Sequence, residues 1–69
     1  MTYKQFCVNL SIQRSKQNLC AHELSLMIGK NAGYINRIEN GKLNPSLKVI
    51  LEIANALEIS TSLLFKEDN

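Results

Sequence analysis

Apolar residues at Tyr3, Phe6, Cys7 and Leu10 recur at the i, i+3, i+4, i+7 spacing of a single helix face. Asn18, a residue type that tolerates the left-handed conformation, supplies a stop for this first helix. Leu24, Met27 and Ile28 repeat the spacing before Gly29, and Ile35 and Ile38, followed by Glu39, do so before Gly41; both stretches predict short helices that end at glycine. Residues 44–60, NPSLKVILEIANALEIS, carry the strongest pattern. Pro45 blocks continuation from upstream, Ser46 is a good N-cap, and Leu47, Ile50, Leu51, Ala54 and Leu57 form the expected inner stripe. Ser60 can cap a last short turn bearing Leu63, Leu64 and Phe65. No stretch alternates with period two long enough to make a strand, so the pattern predicts an all-α, compact five-helix domain.

Two charges interrupt the apolar stripes. Arg14 lies four residues beyond Leu10 and Glu39 four beyond Ile35, which places both on inward faces. A lone buried charge is costly, whereas a guanidinium and a carboxylate can satisfy each other through paired hydrogen bonds. The expectation is an Arg14–Glu39 ion pair tying the first helix to the third, with Glu23, at the edge of the second helix's stripe, as the alternative partner for Arg14.

Sixty-nine residues make one domain, spanning 1–69 with a short polar tail from about residue 66. Hydrophobic residues at 45% and aromatics at 6% suit a small core of Leu and Ile rather than disorder. The net charge of +2 is uninformative, but its distribution is not: residues 1–48 hold seven Lys and Arg against two acids, and residues 49–69 hold one against four. A basic end of this kind is compatible with a phosphate-facing surface. Cys7, Cys20 and His22 lack a fourth ligand and the close cysteine pair of a zinc site, so the cysteines are expected to be buried or capping and no metal or other cofactor is called for. With no signal-peptide pattern and no apolar run near the ~20 residues that span a bilayer, a cytoplasmic protein with reduced thiols and no membrane partner is expected.

The stretch GKNAGYINRIENGK at residues 29–42 combines a turn glycine, an apolar pair at Ile35 and Ile38, and cations at Lys30, Arg37 and Lys42. Two short helices joined by a Gly-containing turn, with Leu24, Ile28, Ile35 and Ile38 where the two must touch, are the elements of a helix-turn-helix. With Arg14, Leu19, Leu24, RIENGK at 37–42, NPSL at 44–47 and LEIANALEIS at 51–60, the chain resembles the Cro/C1 (XRE) family of phage and bacterial repressor domains over roughly residues 7–65. The resemblance implies a lambda-repressor-like fold in which equivalents of Arg14 and Glu39 pair. It further implies that a recognition helix of about residues 32–40 lies in the major groove, with Asn31 capping it and its dipole favouring phosphate.

Departures from the family pattern bear on the site. The usual Gln opening the second helix is Ala21, the usual Ser or Thr before it is Cys20, the apolar residue after the turn glycine is Lys30, and the usual Ala within the second helix is Ser25, a minor change. Base-reading positions of the family fall on Ala32, Gly33 and Arg37, two of which have no hydrogen-bonding side chain. Arg37 is then the candidate for guanine, Ala32 at most touches a thymine methyl, and Asn36 or Tyr34 can add an adenine or phosphate contact. Asn40 and Lys42 are candidate phosphate contacts.

These features predict a sequence-specific transcriptional regulator of double-stranded DNA, a homodimer on a pseudo-palindromic operator. An antitoxin or restriction-modification controller of the same fold, and a protein-interaction module that has lost base readout, are the alternatives. No catalytic arrangement or phosphate loop points to an enzyme, and no ligand-binding domain points to a small-molecule effector. With the inner stripe of the fourth helix assigned as above, Val49, Ile53, Leu63 and Phe65 are left as a surplus apolar patch and a candidate dimer interface.

Overall fold

The computed structural model describes residues 2–67. They form four α-helices, α1 (Tyr3–Lys16), α2 (Ala21–Met27), α3 (Tyr34–Glu39) and α4 (Leu47–Leu57), followed by a single 3₁₀ turn at Thr61–Leu63. The expected fifth helix is thus only a turn. Its three apolar residues diverge, with Leu64 buried and Leu63 and Phe65 partly exposed, so no common face exists for a longer helix to bury.

Local chemistry sets each boundary. Thr2, Cys20, Ser46 and Ser60 each accept a backbone N–H at the start of α1, α2, α4 and the 3₁₀ turn. Cys20 and Glu23 make a reciprocal capping box, and the Cys20 N–H donated to the Glu23 carboxylate holds that carboxyl below its ordinary pKa. The α1 stop is Asn18 at φ 58°, and the turns after α2 and α3 place Gly29 and Gly41 at φ 77° and 72°.

The core gathers Phe6, Cys7 and Leu10 of α1, Leu24 of α2, Ile35 and Ile38 of α3, Val49, Ile53, Ala54 and Leu57 of α4, and Leu64. The inner stripe of α4 is therefore rotated from the expected one: Val49 and Ile53 are buried, whereas Leu47 and Leu51 are 68% and 52% exposed. Apolar residues occur nearly all round this helix, so its periodicity admits two inward arcs, and packing against α2 and the 3₁₀ turn selects one. Val49 and Ile53 are consequently unavailable as an interface. Met27, expected on the α2 stripe, is also exposed.

Two polar residues of α1 bind distant backbone. Buried Asn9 accepts from Gln5 Nε2 at 3.0 Å and donates through Nδ2 to the carbonyls of Leu64 (2.9 Å) and Lys66 (2.8 Å), fastening the C-terminal segment onto α1. The Tyr3 hydroxyl donates to the carbonyls of Ile38 and Leu43, beside the Cys7 thiol, which itself donates to Ile38 O at 3.1 Å. α1 in this way grips the end of α3 as well as the chain's last turn.

Candidate DNA-binding surface

Besides the bonds of Tyr3 and Cys7 to Ile38 O, two further polar contacts hold α3 from behind. Arg14 and Glu39 meet in a bidentate pair, Nε to Oε2 at 2.8 Å and Nη2 to Oε1 at 3.0 Å, and Arg14 Nη1 also donates to Leu19 O at 2.7 Å. Glu23 is engaged in the α2 cap and takes no part in this pair. The second contact comes from Ser25, which is fully buried: its Oγ donates to Ala21 O at 2.7 Å and accepts the N–H of Ile35 at 2.9 Å. Ile35 lies in the first turn of α3, where N–H groups lack intrahelical partners. Ser25 supplies the missing acceptor from the neighbouring helix, and the extra oxygen, far from minor, links the two helices of the motif.

The start of α3 differs from expectation. The helix begins at Tyr34 rather than near Ala32, and its N-cap is Gly33, with no side-chain cap. Asn31 does not cap it; its Oδ1 instead accepts from Arg37 Nη2 at 3.1 Å.

The remaining candidates share the outward side of this segment. Lys30 Nζ sits 5.4 Å from the centroid of the Tyr34 ring, a cation–π arrangement that aligns the lysine with α3. Asn36 and Asn40 are exposed and joined to each other, Asn40 Nδ2 donating to Asn36 Oδ1 at 3.1 Å and to its carbonyl at 2.8 Å. Ala32, Gly33, Arg37 and Lys42 are exposed, and the Lys42 N–H donates to Arg37 O at 2.8 Å. Glu39 is the sole carboxylate in residues 29–42, and it is turned onto Arg14. The outer face of the motif thereby keeps Lys30, Arg37 and Lys42 without an opposing acid from the same segment, an arrangement suited to phosphate.

The predicted dimer patch does not survive as a unit. Besides the burial of Val49 and Ile53, Leu63 lines a groove with Val8 and Ile12, and Phe65 stacks on Phe6 at 5.5 Å. Phe65 also borders an apolar groove with Tyr3, Pro45 and Ile50.

The helix-turn-helix family model matches residues 10–64. The chain belongs to the Cro/C1-type (XRE) helix-turn-helix family of DNA-binding regulators. Among solved structures, the restriction-modification controller protein C.AhdI from Aeromonas hydrophila is similar at 32% identity, with a TM-score of 0.85 over 91% of each chain. No curated protein matches the chain. The family assignment accords with the all-α fold around α2 and α3, and no helix among the described residues is long and apolar enough to cross a membrane.

Proposed function

We propose that this helix-turn-helix regulator binds double-stranded DNA sequence-specifically as a homodimer on a pseudo-palindromic operator, with α3 in the major groove. The observation that carries the proposal is the withdrawal of Glu39 onto Arg14, which leaves Lys30, Arg37 and Lys42 as the charge presented by residues 29–42. Arg37 reads a guanine edge, a contact worth about 1–3 kcal/mol of discrimination. Lys30, Lys42 and Asn40 engage phosphates, Asn31 and Gly33 border Arg37, Tyr34 and Asn36 flank it, and Ala32 offers a methyl contact at most. Dimerisation places the two α3 helices one helical turn of DNA apart, and the exposed face of α4, Leu47 and Leu51, with Phe65 beyond it, is the surface available for it.

A second reading, a restriction-modification controller, is favoured by the likeness to C.AhdI, which extends over 91% of both chains. A restriction or modification gene beside this one would support it, and an inverted repeat upstream is expected under either reading.

Selection of binding sites from a random duplex pool tests the proposal. A two-fold symmetric motif is expected. Arg37→Ala should erase preference at one position per half-site, while Lys42→Ala should weaken binding to all sequences and flatten the salt dependence. Failure to bind any duplex at low salt would leave a protein-interaction module instead.

A further inference from the structure

Arg37 is held in a position set by the turn before α3. Ala32 and Gly33 leave the leading end of α3 without polar side chains, and Arg37 stands one turn further on, its N–H bonded to Gly33 O at 3.1 Å. Its guanidinium folds back over that bare end. Nη2 donates to Asn31 Oδ1 at 3.1 Å, and Nη1 lies 3.8 Å from where a Cβ on residue 33 would sit. The competing groups nearby are engaged elsewhere: Lys30 sits over the Tyr34 ring, and Glu39 is paired with Arg14.

We infer that Asn31 is a specificity-determining residue that acts through Arg37, holding the guanidinium over the start of α3 beside a residue 33 small enough to leave it room. The inference rests on the proposed role of α3 as the base-reading helix and names guanine as the group read. A guanidinium has five N–H donors, so the one given to Asn31 leaves enough for a paired contact to guanine O6 and N7. An arginine already fixed in position loses less rotamer freedom on binding, an advantage of about 2- to 12-fold in affinity. The same tether opposes a swing of Arg37 to a phosphate, where it would read nothing.

Site selection and affinity measurements on the full chain, with Asn31→Ala, Asn31→Asp, Gly33→Ala, Gly33→Val and Arg37→Ala, test this. Asn31→Ala should lower discrimination at the position that Arg37→Ala erases by about 2- to 12-fold, while affinity for random duplex does not fall and the melting temperature stays the same. Asn31→Asp keeps an acceptor and should retain the preference while weakening binding to every duplex through its charge. Gly33→Ala should be tolerated, since its Cβ stands at ordinary contact distance, whereas Gly33→Val should displace Arg37 and reproduce Asn31→Ala. If Asn31→Ala kept the parent's preference at every position, or altered a position other than that of Arg37, the positioning role would be overturned while the function stood. A parent that selects no motif would remove both.

Discussion

The Ser25 hydroxyl of α2 accepts the backbone N–H of Ile35 in α3 at 2.9 Å, so one side chain links the two helices of the motif. Ser25→Ala fits the same space but leaves the Ile35 N–H buried without an acceptor, at a cost of about 1–3 kcal/mol. Chemical denaturation should show that loss, and amide exchange at Ile35 should accelerate beyond what global unfolding accounts for. Equal stability and equal protection would mean that water replaces the hydroxyl.

Arg14 and Glu39 should be similarly intolerant of single changes. Their side chains are 16% and 12% exposed, so removing either strands the other in a largely dry site and costs about 3 kcal/mol. A small domain has little stability beyond that. Thermal melts of Arg14→Met and Glu39→Gln are expected to fall well below the parent, and the double variant should recover part of the deficit.

Tyr3 gives an alkaline signature. Shielding of its hydroxyl and the adjacent Cys7 thiol push its pKa from 10.0 up to about 12, although the residue as a whole is 37% exposed. The folded state therefore holds this proton more tightly than the unfolded chain. The stabilisation is complete below pH 10 and declines as pH rises toward 12. Denaturation across that interval should show a steeper loss for the parent than for Tyr3→Phe; parallel curves would exclude Tyr3 as the source.

The exposed face of α4 yields a test of assembly. Leu47→Lys with Leu51→Lys should leave the melting temperature of the monomer nearly unchanged, because both side chains already face solvent. Sedimentation across micromolar concentrations is expected to show a dimer for the parent and a monomer for the variant. A variant that still dimerises would move the interface elsewhere.

The legibility of the sequence follows the physics of each signal. Asn18, Gly29 and Gly41 were readable as stops because left-handed backbone restricts residue type. The Arg14–Glu39 pair was readable because two opposite charges at i+4 from apolar residues can satisfy each other, and Glu23, the other partner open to Arg14, lies at the edge of its stripe. The α4 face was misread because Leu47, Val49, Ile50, Leu51 and Ile53 offer more apolar surface than one arc can bury. Ser25 and Asn9 left no trace because their partners are backbone groups, which every residue carries alike. For the same reason, the swing of Arg37 toward Asn31 could not be inferred from the helix register that singled Arg37 out.

The Asn9 latch also orders events in time. Its acceptors at Leu64 and Lys66 follow it by 55 and 57 residues, and a chain is synthesised from its N-terminus. The ribosome therefore delivers α1, the turn and the whole cationic segment before the carbonyls that Asn9 needs exist. Until they emerge, the Asn9 amide N–H groups must find their acceptors in water. A chain that has not reached residue 66 lacks the clasp that fastens its C-terminal segment onto α1.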